Sequence, residues 1–187
     1  MPLGLIDSLN PKLWIVTATA QGRRSGLIAT FVTPVSIVPD VSRFLITIAN
    51  QHATHDLIVR SKAFGLHLLR ADQAQLAYRF GSVSGRTADK FSGLRWEPGK
   101  LGCPVLHNCL AAMECKVELQ TDIGDRTLFV GQVISSRRNL GDAALAADEF
   151  FGSLTDEQRE ILDNLYARDI PIDREKILDW QNRRRPV

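Results

Sequence analysis

Cysteine is scarce in this chain of 187 residues, which has three. Cys103, Cys109 and Cys115 are odd in number and include no CxxC pair, so the sequence supports neither a disulfide framework nor a zinc ribbon. We expect reduced thiols and a cytoplasmic location. Apolar runs of membrane-spanning length are missing too, and residues 1–7 carry neither a basic segment nor a cleavage site. No contact with a membrane is predicted.

An excess of one charge is also missing. Twenty-three Lys and Arg residues stand against twenty-one Asp and Glu residues, and the formal net charge is +2. This balance gives no electrostatic reason to expect nucleic acid as a partner. The basic run at residues 183–185 is predicted to be a solvated tail.

Motifs for phosphate-cradling loops and for metal sites are absent as well. The chain has neither GxGxxG after a strand nor GxxxxGK[ST], which disfavours a Rossmann domain and a P-loop. His55, His67 and His107 are scattered and no HExxH spacing occurs, so no metal site is predicted. Paired carboxylates and a catalytic triad are likewise not apparent, so the sequence predicts binding segments and not catalytic side chains.

Apolar, β-branched segments dominate the first two thirds of the chain. Pro34 marks a bend in the second segment. Residues 113–120 alternate most clearly, and Cys115 falls on the side predicted to be buried, so we predict a core thiol and not a nucleophile. Strands are predicted over residues 13–20, 27–37, 43–49, 64–69, 113–120 and 127–134, with a turn at 21–26 and a hairpin between the last two strands.

Helical patterns fill gaps between the strands and the end of the chain. Thr54 and Asp72 are predicted to cap two short helices that follow strands. Nearer the C-terminus, Thr155 opens a capping box with Gln158, and Asp173 is predicted to cap a last helix that reaches residue 180. Residues 81–102, rich in Gly, Ser, Arg and Lys, are predicted to form a long surface excursion.

The order of the predicted elements, with strands in the first two thirds of the chain and helices after them, predicts a mainly β fold. This fold is an antiparallel barrel or sandwich with appended helices. We divide the chain into a barrel domain over residues 1–140 and a C-terminal helical extension with a basic tail over residues 141–187.

Two segments have the character of ligand-binding sites. Small residues in 26–31 would let a planar ligand approach the backbone, although close packing between strands explains them equally well. The loop over residues 49–54 lies between a strand end and a helix start, where free amides and the helix dipole attract an anion. His52 and Thr54 are candidate phosphate ligands, and the alternative is a helix cap beside an exposed histidine.

The order of these segments resembles the flavin reductase-like, FMN-binding split-barrel family, over residues 10–138. No single piece is diagnostic, and the resemblance rests on their order and spacing. The pieces are GLIAT at 26–30, VSIVP at 35–39, residues 49–54 and 64–69, LAYRF at 76–80, DKF at 89–91, AMEC at 112–115, and GDR at 124–126 before LFVGQV at 128–133.

The resemblance implies an antiparallel split β-barrel that binds FMN, with FAD as an alternative, and receives a hydride from NADH or NADPH. In that family the segment matching residues 28–31 lies along the flavin ring and ribityl chain, and the loop matching residues 49–54 holds ring and phosphate. Arg126 is the candidate near flavin or nicotinamide. The implied cofactor-binding residues are Ile28, Ala29, Thr30, Phe31, Ala49, Asn50, His52, Thr54, Arg79 and Phe80.

Three positions depart from the family pattern. Ala49 and His52 stand where Asn and Ser are more usual, so phosphate contacts would depend on His52, Thr54 and backbone amides. Arg126 replaces a histidine that lies beside flavin and nicotinamide in many relatives, and it is read either as a phosphate ligand or as an exposed turn residue. Ile28 replaces a threonine, which removes a hydroxyl near the cofactor.

The function implied by the resemblance is transfer of a hydride from NAD(P)H to flavin. Similar reductases form homodimers, and many supply reduced flavin to a separate monooxygenase. The alternative from another class is a non-catalytic split-barrel module that binds flavin, haem or another flat ligand, and a third reading is a purely structural barrel. Because flavin supplies the chemistry, no side-chain acid or base is demanded.

Overall fold

The computed structural model describes residues 9–141 and 143–184, so the start of the chain and Arg185 of the predicted basic tail lie outside the described residues. Within those residues, no helix has an apolar stretch long enough to cross a membrane. The strands are β1 (Trp14–Ala20), β2 (Arg23–Ala29), β3 (Val32–Pro34), β4 (Arg43–Ala49), β5 (Ala63–Leu68), β6 (Trp96–Pro98), β7 (Pro104–Leu106), β8 (Ala111–Asp122) and β9 (Arg126–Arg138). The helices are α1 (Ala53–Ser61), α2 (Ala74–Ser82), α3 (Ala147–Gly152) and α4 (Asp156–Arg183).

Seven strands form one sheet in the order β2-β1-β5-β8-β9-β4-β3, and every neighbouring pair is antiparallel. The sheet curls into a half-barrel, which confirms the predicted mainly β, antiparallel split-barrel class. β6 and β7 pair separately, and β6 lies inside the predicted surface excursion. The central position of β9, between β8 and β4, is the one predicted from its apolar residues.

Two apolar clusters stabilise the two faces of the sheet. One contains Phe64, Phe129 and residues of α1, all shielded from water. In the other cluster, Leu13 and Ile15 at the first strand pack with Phe80 of α2. The same cluster includes Phe150 and Leu162 of the C-terminal helices. Since residues on both sides of position 140 share the second cluster, burial of apolar surface couples the helices to the barrel. The division at 140 stays a prediction.

The first hairpin is tighter than the sequence predicts. Its turn consists of Gln21 and Gly22, which both have positive φ angles, 52° and 71°. Two left-handed residues match the twist of the flanking strands, so β2 begins at Arg23 and not after residue 26. The predicted strand over 27–37 is also interrupted, since Thr30 and Phe31 separate β2 from β3.

Three predicted helix caps are wrong. The N-cap of α1 is His52, and Thr54 lies inside the helix. α2 has Gln73 at its N-cap, while Asp72 pairs with Arg70. Asp173 caps nothing, because α4 runs unbroken through Pro171. In each case a contact elsewhere in the fold overrides the local capping preference. The Thr155 capping box is present as predicted.

Strand β8 does not keep the predicted alternation along its whole length. Irregularities at Glu114/Cys115 and at Val117/Leu119 shift the register, which exposes Leu119 and buries Glu114. The Glu114 carboxylate accepts backbone N–H groups from Leu101 and Cys103 at 3.0 and 3.2 Å, so its burial is satisfied. Cys115 is fully buried as predicted, and burial raises its pKa to about 12.

His67 is buried in the sheet with both ring nitrogens occupied. Its Nδ1 lies 3.1 Å from the Ile15 carbonyl oxygen, and the Leu106 N–H donates to its Nε2 at 3.1 Å. Nδ1 must therefore carry the proton and Nε2 must be free of one, which is the neutral ring. Burial lowers the pKa of His67 to about 4.

Acid should therefore destabilise the fold through His67. The unfolded chain binds a proton near the ordinary pKa of 6.5 and the folded chain only near 4, so stability is lost as the pH falls between these values. We expect His67 to account for about 3 kcal/mol of the drop in unfolding free energy from pH 7.5 to pH 4. Urea denaturation at both pH values should show that drop shrink by this amount in His67→Gln.

The control is His107→Gln, at a side chain that is 36% exposed. It should leave the drop as it is in the wild-type protein. An equal drop in wild type and His67→Gln would contradict the assignment.

Candidate functional site

The predicted cofactor loop lies at one edge of the sheet. Ala49, the last residue of β4, pairs with Arg126, the first residue of β9. α1 begins at Ala53, so its N-terminus faces the same edge. No side chain caps that N-terminus, and its free amides attract negative charge.

Asn50 fastens this loop to the turn between β8 and β9. Its side-chain amide donates to Asp122 Oδ1 and to the Gly124 carbonyl oxygen, each at 2.9 Å. Its oxygen accepts the Thr127 hydroxyl at 2.8 Å, and its backbone N–H donates to the Asp125 carbonyl at 2.9 Å. Because both amide hydrogens are in use, Asn50 acts here as a positioning residue.

Arg126 already has two carboxylate partners. Its Nε lies 3.0 Å from Asp125 Oδ2, and a terminal nitrogen lies 3.4 Å from Asp173 Oδ2. The guanidinium also packs over the Phe31 ring, 5.5 Å from its centroid. Arg126 is thus neither a simple exposed turn residue nor an uncompensated cation waiting for phosphate.

His52 is the N-cap residue of α1 and lies near both basic and acidic side chains. Burial lowers its pKa below the ordinary value, and the positive charges of Arg126 and Lys90 add to this effect. The carboxylates of Asp169 and Asp173 oppose it. His52 is therefore neutral near pH 7, so it can offer one N–H hydrogen bond to an anion but no full charge.

Lys90 is a buried cation without a carboxylate. Its side chain is 5% exposed, and its Nζ donates to the Phe80 carbonyl oxygen at 2.6 Å while lying 5.9 Å from the centre of the Phe80 ring. Burial lowers its pKa to about 8, and no ion pair of Lys90 occurs in the part of the chain that the structure describes. A buried ammonium is costly unless an anion joins it.

Arg86 brings another cation to the start of α1. It donates to the Gln51 carbonyl oxygen at 3.3 Å and pairs with Asp56 at 2.8 Å. A cavity of about 170 Å³ opens beside it. Its charged lining residues are Arg23, Arg24, Arg60, Arg86 and Asp56. This cavity beside α1 is therefore lined by more basic than acidic side chains.

The small residues of β2 have a packing role. A Cβ on Gly26 would lie 2.7 Å from the Phe80 ring, and a Cβ on Gly81 would lie 2.8 Å from Ile28 Cδ1. Helix α2 thus packs closely on β2, as the alternative reading proposed. Ile28 and Phe80 face each other across this contact, and Phe80 is 1% exposed.

Other predicted residues are also held by the protein itself. The Thr54 hydroxyl is buried and donates to Ser25 Oγ at 3.0 Å. Arg79 donates to the Ser92 carbonyl oxygen. Ala29 is buried in the barrel, whereas Thr30 is partly exposed.

The structure therefore brings together Phe31, Ala49, Asn50, His52 and Arg126 at one edge. Sequence reasoning missed Lys90, Arg86, Gln51 and Asp173 as members of the same neighbourhood. Lys90 stands in the DKF segment that carries part of the resemblance, and that segment is the one signal that could have found it. A larger cavity, about 430 Å³ and lined by Glu97, Glu114 and Arg137 among others, contains none of the predicted cofactor residues.

The chain is similar to known proteins over most of its length. The family model described as "Flavin reductase like domain" matches residues 7–161. A ferric-chelate reductase (NAD(P)H) of Archaeoglobus fulgidus is 32% identical over 66% of this chain and 73% of its own length. The FMN reductase (NADH) SmoA of Agrobacterium fabrum is 32% identical over 74% of this chain and 76% of its own.

A solved structure gives the same answer for the fold. Nitrilotriacetate monooxygenase component B from Mycobacterium thermoresistibile superposes with a TM-score of 0.63 at 26% identity, over 71% of this chain and 72% of that protein. The family match covers most of the barrel and both of its predicted binding segments, which confirms the resemblance drawn from the sequence. The chain belongs to the flavin reductase-like family.

Proposed function

We propose that this protein is an FMN-binding, NAD(P)H-dependent flavin reductase. One observation carries the proposal: in a chain of the flavin reductase-like family, the predicted cofactor loop ends at the N-terminus of α1, which no side chain caps. A phosphate monoester is the anion that such a place suits, because it satisfies free amides and a cation together. The activities named for the two reductases above support the same function.

The residues present fit FMN. The amides at the start of α1, Lys90 and Arg86 would hold the phosphate, with His52 as a neutral donor. Phe31 and Arg126 contact each other close to the partly exposed Thr30, and they would border the flavin ring. The activity named for the FMN reductase (NADH) SmoA supports FMN over FAD.

Bound flavin supplies the chemistry, since its ring accepts a hydride from the nicotinamide. The protein's own residues bind and orient. Asn50 fixes the loop that carries His52, and Asp125 together with Asp173 fixes the Arg126 guanidinium. His52, which is neutral at pH 7, offers the phosphate a hydrogen bond without adding a positive charge. The site thus acts by position and charge, without a side-chain acid or base.

A homodimer belongs to this proposal. An apolar strip follows β2 and contains Phe31, Val35, Ile37, Val38 and Val41, of which Ile37 is 99% exposed. The strip runs along β3, whose outer edge is unpaired in the sheet that the described residues form. A second copy would cover both the apolar surface and the open edge. Phe31 connects this surface to the site.

The same proposal includes a cytoplasmic location and delivery of reduced flavin to a separate monooxygenase. Three buried thiols without a disulfide suit a reducing compartment. The similarity to component B of nitrilotriacetate monooxygenase supports a two-component system, in which a partly open site would let reduced flavin pass to the partner enzyme.

The proposed activity predicts a bleaching spectrum. Protein mixed with FMN and gel-filtered should retain flavin absorbance, and anaerobic NADH or NADPH should bleach it within one turnover. Flavin that stays bound and unbleached would favour the non-catalytic module, and a Soret band would favour haem. Protein that binds neither would contradict the proposal.

The phosphate assignment predicts that Lys90→Met weakens FMN but spares riboflavin, which lacks the phosphate. Loss of one charge-assisted hydrogen bond costs about 1.5–3 kcal/mol, or about 10- to 150-fold in Kd. Removal of a buried ammonium should leave the melting temperature of the ligand-free protein equal or higher.

Fluorescence titration with both ligands measures the difference. Lys116→Met, at an exposed position on β8, is the matched control and should bind both ligands as the wild type does. If Lys90→Met lost affinity for FMN and for riboflavin equally, the assignment of the phosphate to Lys90 would be wrong.

The dimer surface predicts that Ile37→Glu yields monomers. A charge buried without a partner in an apolar interface costs several kcal/mol, which exceeds what a modest interface can compensate. Light scattering after gel filtration measures the mass. Leu140→Glu is the control, because Leu140 is 97% exposed outside the strip. Monomeric wild-type protein, or dimeric Ile37→Glu, would contradict the proposed surface.

A further inference from the structure

The inward face of helix α4 changes character along its length. Leu162 is buried in the core beside α2, and Leu165 packs on the same cluster. Further along, the half-buried positions are taken by Asp169, Asp173 and Lys176 together with Ile177 and Trp180. These residues recur at three and four positions, so they lie on one side of the helix. The first half of α4 is attached by buried apolar residues, whereas the second half combines polar contacts with half-buried apolar side chains.

The second half lies on the loops that carry the site. Asp173 Oδ1 accepts the Gln51 side-chain amide at 2.9 Å, and Lys176 Nζ donates to Gln51 Oε1 at 2.9 Å. Asp173 Oδ2 is the second partner of Arg126, at 3.4 Å. One helix thus contacts both the residue that precedes His52 and the residue that begins β9.

The turn between β8 and β9 is shaped to receive this helix. Gly124 has a φ of 102°, and a Cβ there would lie 2.9 Å from the Lys176 carbonyl oxygen and 2.9 Å from Trp180 Cβ. The Trp180 indole N–H donates to the Asp122 carbonyl oxygen at 3.2 Å. The helix therefore rests directly on backbone, in a place where only glycine leaves room.

This attachment is specific but shallow, since no residue of α4 after Leu162 is fully buried. Ion pairs and hydrogen bonds that reach the surface contribute little net stability, since water and salt replace them readily. Pro171 stands at the junction between the two halves and lacks the N–H that would bond to the preceding turn. The family match ends at residue 161, before the polar half begins. This half is an addition to the barrel.

We propose that residues 171–183 form a detachable cover over the Arg126 side of the flavin site, held shut by Asp173. The inference rests on the proposed function. The cover admits a nicotinamide dinucleotide by exchange of anions: the phosphate groups of the nucleotide take the place of the Asp173 carboxylate at Arg126. Gln51 is released in the same movement, because Asp173 and Lys176 of the helix both bind its side-chain amide. Asp173 is a positioning residue in this scheme.

The test compares Asp173→Asn with Asp179→Asn. Both substitutions remove one negative charge from the same helix, but Asp179 is exposed. Hydrogen–deuterium exchange by mass spectrometry follows the two halves of α4 in full-length protein. In Asp173→Asn we expect at least threefold faster exchange over residues 172–183 and unchanged exchange over 156–165. Asp179→Asn should exchange as the wild type does.

A kinetic readout separates a cover from a merely structural contact. Stopped-flow reduction of FMN-loaded protein by NADH should give an apparent second-order rate constant at least threefold higher in Asp173→Asn, because less of the protein is closed. The second-order rate constant is the readout of access, and the rate at saturating NADH is not, because Asp173 also positions Arg126 beside the site. The Asp179→Asn control accounts for the loss of charge alone.

Three results would overturn the cover: unchanged exchange in Asp173→Asn, faster exchange with an unchanged second-order rate constant, or equal acceleration in Asp179→Asn. Failure of the proposed function looks different, because protein that retains no FMN shows no reduction with either variant. In that case the exchange result still decides whether Asp173 holds the helix, and the loss of the flavin site itself overturns the cover as a gate.

Discussion

The Asn50 side chain is the interaction on which the arrangement of the site depends. It ties the end of β4 and the start of α1 to the turn before β9 through three hydrogen bonds of 2.8–2.9 Å. A shorter side chain could not reach both partners in that turn, and an acidic one could not donate. The position of His52, the direction of the α1 amides and the placement of Arg126 all follow from this one joint. The turn that receives α4 is fixed by it as well.

Lys90 shows the opposite principle, a group that the fold buries without satisfying. A carbonyl oxygen and an aromatic face partly compensate its charge, and burial lowers its pKa to about 8. Binding sites carry such costs because a charge that is already desolvated and oriented needs no reorganisation when an anion arrives. The same charge in a solvated loop would attract an anion less strongly and with less selectivity for one ligand.

Much of the fold can be predicted from the sequence, and the errors have local physical causes. The strands are recognisable because apolar, β-branched segments between polar turns indicate a barrel. Leu119 and Glu114 break the predicted alternation because bulges shift the register, and a bulge has no signal in a period-2 pattern. The sequence favours Asp173 as a helix cap since Pro171 lies just before it, yet contacts with Gln51 and Arg126 keep the helix continuous.

The candidate site is less predictable, because its members come from distant segments. The resemblance singles out His52 and Arg126, but the side chains of Asn50 and Thr54 are occupied within the protein. Lys90 cannot be identified as a site residue from the sequence, because a lysine in a loop rich in Gly, Ser and Arg is ordinarily exposed. Its burial depends on Phe80 of α2, a contact that the composition of the loop does not indicate.

The charges around the site influence both how tightly an anion binds and how easily it enters. Lys90, Arg86 and Arg126 attract an anion, while Asp169 and Asp173 on α4 place negative charge against the same region. An uncovered basic site of this kind attracts free phosphate and many nucleotides, since charge alone distinguishes poorly between them. A carboxylate on this helix makes each anion compete for Arg126, so a ligand must bring further contacts of its own. A flat ring that fills the space beside Phe31 supplies such contacts, and a simple phosphate does not.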